Sequence, residues 1–199
     1  LTGNVSPDSG TIRFTGRDVT RLPTHARVRL GLARSFQITA VLREFTALDN
    51  VALAVQAHAG HSFRFLADAR RDERLRDPAR RGLEEVGLAE RADTPAAVLS
   101  HGEQRQLELA MSLATAPRVL LLDEPLAGMG TAEAERMVEL LLRLKAEHAM
   151  LLVEHDMDAV FALADRLTVM VNGQVISSGE PPQVRADPTV QTAYLGEEH

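Results

Sequence analysis

The chain has 199 residues and a formal net charge of −6, from 22 Lys+Arg against 28 Asp+Glu. That length suits one domain of ordinary size, and the acidic balance argues against a protein whose main task is to coat nucleic acid. Hydrophobic residues make up 45% of the chain, enough for a real core, and there is no cysteine. This excludes wholesale disorder, a disulfide framework, a thiolate metal site and a thiol nucleophile, and it fits a reducing compartment. The longest apolar runs, such as Val119 to Leu122, are strand-length and far short of the ~20 residues that cross a bilayer. No secretory-signal pattern marks the first residues, and residue 1 is Leu rather than an initiator Met.

In chain order, Pro7-Asp8-Ser9-Gly10 predicts a turn, Thr11 to Phe14 a half-buried strand, and Thr15 to Asp18 a second turn. Thr24 is expected to cap a short helix to Leu30, which Gly31 breaks; Leu32 to Phe36 then reads as a strand ending at Gln37. Residues 48–98 read as a helical insert. Within it, residues 64–81 carry Arg64, Arg70, Arg71, Arg74, Arg76, Arg80 and Arg81 among four acids. That pattern suits a solvated amphipathic helix or, alternatively, a surface lying near anionic headgroups. Downstream the chain alternates: a buried strand at Val119 to Leu122, a helix over Thr131 to Glu147, and a strand at Met150 to Val153. Strand, helix and strand in that order predict a βαβ unit with parallel strands. Asp158 to Ala164 follows as helix and Leu167 to Val171 as strand. Asn172-Gly173 predicts a type I′ hairpin into Gln174 to Ser178, and short helices broken at Pro188 end the chain.

Four places carry candidate chemistry, each with a plainer alternative. Asp123-Glu124 ends a buried strand, at the edge where α/β sheets bind ligands. One carboxylate there can hold Mg²⁺ and the other can orient or deprotonate water, or both can simply cap the next turn. Ser100 with Glu103 forms a capping box at the head of a helix over 103–115; the same helix head suits a phosphate. Gln37 is either a surface side chain or one that orients water or metal. His155, at another strand end, is either hydrogen-bonded structure or a phosphate sensor.

In joint order, Gln37, Ser100-His101-Gly102-Glu103-Gln104, Asp123-Glu124 and His155 resemble the Q-loop, signature motif, Walker B and switch histidine of ABC-type ATPases. The strings Gly31 to Gln37, Ser100 to Arg105 and Ala193 to Glu198 resemble the ATP-binding subunits of branched-chain amino-acid importers. The resemblance covers essentially the whole chain. It implies an α/β, P-loop NTPase-like ABC ATPase fold: a single domain over residues 1–199, with a parallel sheet, a helical subdomain at 48–98 and a partial antiparallel β subdomain. It implies ATP and Mg²⁺ as cofactors, with Asp123 and Gln37 at the metal, Glu124 polarising the attacking water and His155 at the γ-phosphate. Ser100, His101, Gly102, Glu103 and Gln104 would close over ATP held by a second ATP-binding subunit, in a homo- or heterodimer. The implied partners are membrane permease subunits, docking on Leu42, Phe45 and the helical insert, and indirectly a solute-binding protein; nucleic acid is not among them. The implied place is the cytoplasmic face of the membrane. A soluble, non-transport ABC ATPase and a non-hydrolysing binding module stand as the alternatives.

The sequence departs from the family pattern in three places. His101 stands at the third signature position, where many families have Gly. Gly130 stands where the loop after Walker B usually has Asp. No Gly-x-x-x-x-Gly-Lys-Ser/Thr stretch occurs in the 199 residues, and Leu1-Thr2-Gly3-Asn4 resembles the end of the helix that follows that loop. The expectation is a domain incomplete at its N-terminus, whose 199 residues alone do not hydrolyse ATP.

Overall fold

The computed structural model describes residues 1–34, 41–59 and 72–195, and its contacts gather into two units, Leu1–Glu154 and His155–His199. In the first unit, β1 (Arg13–Phe14) pairs antiparallel with β2 (Arg17–Asp18) around Thr15 and Gly16, both at positive φ. Arg17-Asp18 is therefore strand, where the sequence suggested turn. α1 (Thr24–Arg29) is capped one residue earlier than expected: Pro23 is the N-cap, and the Thr24 hydroxyl instead donates to Asn4 Oδ1 at 3.0 Å. Arg27 on this helix is buried, at 3% exposure, and donates to the Leu1, Thr20 and Leu22 carbonyls. Three backbone acceptors offset the cost of removing the guanidinium from water. Gly31 ends the segment at φ +100°, with Arg118 packed so close that a Cβ would sit 2.9 Å from its Cγ.

The sheet that positions the candidate site has three parallel strands, in the order β3 (Leu32–Arg34), β4 (Val119–Asp123), β5 (Ala149–Val153). Arg34 stands beside Leu121, and Asp123 beside Val153. β4 is the central strand, with Leu120, Leu121 and Leu122 buried, as its continuous apolar run predicts. β5 differs: it alternates, and Leu151 and Val153 are 47% and 57% exposed. Successive side chains point to opposite faces of the sheet, so this alternation marks one face, carrying Leu151 and Val153, that the described residues leave uncovered. α5 (Thr131–Lys145) links β4 to β5 and buries Met137, Leu140, Leu141 and Leu144, one stripe at helical spacing.

Three helices fill the middle of the unit: α2 (Ala47–Ala59), α3 (Glu73–Glu85) and α4 (His101–Leu113). α3 is capped by Asp72, and Gly87 follows its end at φ +79°. On the described part of the arginine-rich stretch, Arg80 pairs with Glu73 and Asp77, and Arg76 pairs with Asp49. That pairing suits a solvated helix. Arg64, Arg70 and Arg71 lie outside the described residues.

The second unit holds α6 (Met157–Leu163, capped by Asp156), the hairpin of β6 (Leu167–Val171) and β7 (Gln174–Gly179), α7 (Pro181–Arg185) and α8 (Pro188–Leu195). Asn172 and Gly173 take φ +50° and +77°, the left-handed pair that a type I′ turn demands. Leu167, Val169, Val184 and Val190 form its core, and the Arg185 guanidinium lies 5.2 Å from the Phe161 ring centre.

Candidate functional site

The Ser100 capping box is present in full. Ser100 Oγ accepts the Glu103 N–H at 3.2 Å, and Glu103 returns an acceptor to the Ser100 N–H at 2.8 Å. Gln104 donates back to the Ala96 and Leu99 carbonyls, tying the helix head to the short 3-10 turn over Ala96–Val98 that precedes it. Burial by itself would raise the Glu103 pKa. The Ser100 N–H and the Arg91 guanidinium, 3.0 Å away, outweigh it and hold the group below its ordinary 4.5.

The two sequence departures, His101 and the loop after β4, turn out to be neighbours. A methyl group on Gly128 (φ +76°) would come within 3.3 Å of His101 Cε1, so the imidazole packs over a glycine. Gly102 is likewise approached by Glu133: a Cβ there would sit 2.9 Å from Glu133 Oε1, which also accepts from Ser100 Oγ at 3.4 Å. The head of α4 and the head of α5 thus share one small cavity of about 70 Å³, lined by Ser100, Gly102, Met129, Glu133 and Arg136. Gly130 caps α5 at an ordinary φ of −72°, with nothing within 4 Å of a built Cβ. An Asp would fit there, so packing does not require the departure.

Asp123 and Glu124 stand at the carboxyl end of β4, both partly exposed. Arg34, from the end of β3, meets Asp123 Oδ2 at 2.7 Å, with the two side chains 29% and 30% exposed. Glu124 has φ +46°, a left-handed backbone that costs a non-glycine residue about 1–2 kcal/mol. Its N–H is fixed by the Val153 carbonyl at 2.9 Å. Two steps on, the Leu126 N–H donates to Glu154 Oε1 at 3.0 Å. Arg34 and Glu154, which sequence reasoning gave no role, thus hold the carboxylate pair in place. His155 opens the second unit as an exposed residue between β5 and α6. Gln37 lies outside the described residues. A larger, mostly apolar cavity of about 430 Å³ opens among α1, β3, α2 and α4. Arg34 and Glu108 line it, but none of the named site residues does, and its walls suit packing rather than phosphate.

A family model described as "ABC transporter" matches residues 1–127, and one described as "Branched-chain amino acid ATP-binding cassette transporter" matches residues 174–199. The chain belongs to the ABC transporter family. Among its relatives is the high-affinity branched-chain amino acid transport ATP-binding protein BraF of Pseudomonas aeruginosa, 40% identical over 99% of this chain and 80% of that protein. LivG of Escherichia coli, described in the same words, is 37% identical over the same shares. Among solved structures, the ADP conformation of MJ1267, an ATP-binding cassette of an ABC transporter, superposes with a TM-score of 0.82 at 30% identity, covering 98% of this chain and 80% of that one. A nucleotide-free cassette from an ABC transporter gives 0.81 at 28% identity, covering 98% and 81%.

As an ABC protein the chain is an α/β ATPase cassette of a family that binds ATP. Whether its residues suit a magnesium ion as well is decided at Asp123. A partly exposed carboxylate at the open end of a parallel strand has the hard-oxygen chemistry that Mg²⁺ prefers. One of its oxygens is engaged by Arg34, so a metal bound there would share this carboxylate with the guanidinium. The donor set fits.

Proposed function

We propose that this ABC chain is the ATP-hydrolysing subunit of an importer for branched-chain amino acids or a similar small solute. It works on the cytoplasmic face of a membrane, with permease subunits, a second ATP-binding subunit and, indirectly, a solute-binding protein. The observation that carries this reading is the 40% identity to BraF across 99% of the chain. Among the described residues no helix is long and apolar enough to cross a membrane.

In this reading Asp123 and Gln37 hold Mg²⁺, and Glu124 polarises the attacking water. His155 contacts the γ-phosphate, and the Ser100 to Gln104 helix head closes over nucleotide held by the partner. Bound Mg²⁺ would supply charge neutralisation to the phosphates. The left-handed backbone at Glu124 aims its carboxylate from a turn fixed at Val153 and Glu154, and phosphoryl transfer depends mainly on such positioning. Leu42 and Phe45, 45% and 38% exposed, provide an apolar face for the permease.

The test uses the protein as its gene encodes it, assembled in vesicles with its permease subunits and second ATP-binding subunit and supplied with the solute-binding protein. Glu124→Gln should keep nucleotide binding while steady-state ATP hydrolysis and ATP-driven leucine uptake fall by about 10²-fold or more. Unchanged hydrolysis in that variant would remove Glu124 from its role. Wild-type hydrolysis without uptake of any branched-chain amino acid would reject the solute class.

A further inference from the structure

Among the described residues, one group of three metal-ligating side chains lies at neither the carboxylate pair nor the α4 head: Glu85, Glu147 and His148. Glu85 is the last residue of α3, while Glu147 and His148 form the turn between α5 and β5. Their donor atoms all lie within 4.8 Å of one another, and His148 Nε2 is 2.9 Å from Glu85 Oε1.

We propose that these three residues form a zinc-class divalent-metal site that clips the helical part of the first unit to the turn leading into β5. The donor set is one imidazole nitrogen and two carboxylate oxygens, a mixture that favours Zn²⁺ over Mg²⁺ or Ca²⁺ and leaves a fourth position to water. Donors around a tetrahedral ion with bonds of about 2.0–2.2 Å stand roughly 3.4 Å apart. The His148–Glu85 contact therefore opens by a few tenths of an ångström, and Glu147, an exposed side chain, closes the rest by rotation. The backbone holds two of the ligands ready: the Glu147 and His148 N–H groups both donate to the Leu144 carbonyl, at 3.1 and 2.9 Å. Two helix C-termini, capped at Val86 and Ala146, end beside the group and add partial negative charge. Basic residues in those last turns are confined to Arg143 and Lys145 of α5. In forming the site, Zn²⁺ takes the place of the hydrogen bond between His148 Nε2 and Glu85 Oε1. The clip joins positions 63 residues apart in sequence, which makes the metal a stabiliser of the native state alone.

The test needs neither ATP nor partner subunits, so its result is independent of the transport reading. Thermal unfolding of the chain is followed with a few equivalents of ZnCl₂ and with chelator, and Co²⁺ is titrated as a visible probe. A Tm rise of about 2–4 °C with zinc and one Co²⁺ per chain with d–d absorption are expected. Both responses should weaken by more than about tenfold in His148→Ala and in Glu85→Gln. Circular dichroism of each variant separates a lost ligand from a lost fold, and Glu147→Gln, at an exposed position, supplies a third variant where misfolding is not at issue. No response in the wild-type chain overturns the site, as does a response that persists in folded His148→Ala or Glu85→Gln, which places the ion elsewhere. The three residues would then be a surface ion pair with a neighbouring carboxylate.

Discussion

Glu124 takes φ +46°, a conformation that L residues adopt at a cost and that β-branched side chains scarcely adopt at all. Backbone and side chain can therefore be separated at this position. Glu124→Gly should leave Tm unchanged or slightly higher, because relief of the backbone offsets the greater freedom glycine gains when unfolded. Glu124→Val should lower stability by about 1–2 kcal/mol, a Tm fall of roughly 2–8 °C. Equal unfolding curves for the two variants would show that the backbone there is unstrained. The sequence marks Asp123 and Glu124 because two carboxylates end an apolar strand. It does not mark Arg34 and Glu154, whose contacts to Asp123 and Leu126 cross 89 and 28 positions. Such pairings depend on strand register, which no local pattern carries. Thr24 illustrates the same limit. A hydroxyl before a helix reads as a cap, yet Asn4, 20 residues away, takes it and Pro23 starts the turn instead.

At the scale of elements, legibility follows how local the causes are. The α4 head was readable because a capping box closes within four residues, and the β6–β7 hairpin because Asn172-Gly173 fixes its own turn. The alternating exposure of β5 was not readable, since its sequence is apolar throughout and only the sheet decides which faces are covered. Segment 42–46 shows a cause hidden inside a helix. Asn50 of α2 is 1% exposed; its Oδ1 accepts the Leu42 N–H at 2.7 Å, and its Nδ2 donates to the Leu42 and Thr46 carbonyls at 3.0 and 2.9 Å. A buried amide saturated by backbone holds Leu42 and Phe45 outward. Asn50→Ala strands those backbone groups and should cost about 1–3 kcal/mol, a Tm fall of roughly 2–12 °C. Leu42→Ser and Phe45→Ser, at exposed positions, should leave Tm within about 1–2 °C. In the assembled transporter they should weaken permease association in co-purification. Full association in the double variant would take the permease contact away from this segment.

For the molecule as a whole, the family was legible from the order of motifs along the chain, each at an element boundary of the expected kind, and 40% identity to BraF agrees with it. Charge and donor supply then set what these 199 residues do with nucleotide by themselves. Their net charge is −6 and they contain no Gly-x-x-x-x-Gly-Lys-Ser/Thr stretch, so no lysine-bearing cradle of backbone N–H groups meets the β- and γ-phosphates. The groups that face the site on β4 are carboxylates, and Arg34 is already committed to one of them. The helix head at Ser100 offers donors, but Glu133 Oε1 stands 3.4 Å from the Ser100 hydroxyl and presents a negative charge there first. A polyanion gains little from such a surface alone. The 199-residue chain alone should accordingly show no Tm shift with millimolar ATP and Mg²⁺, because a ligand far below its Kd contributes almost nothing to RT ln(1 + [L]/Kd). A rise of several degrees, reproduced with a non-hydrolysable analogue and lost in Asp123→Asn, would show that the carboxylate edge and the α4 head recruit nucleotide without a lysine loop in the same chain.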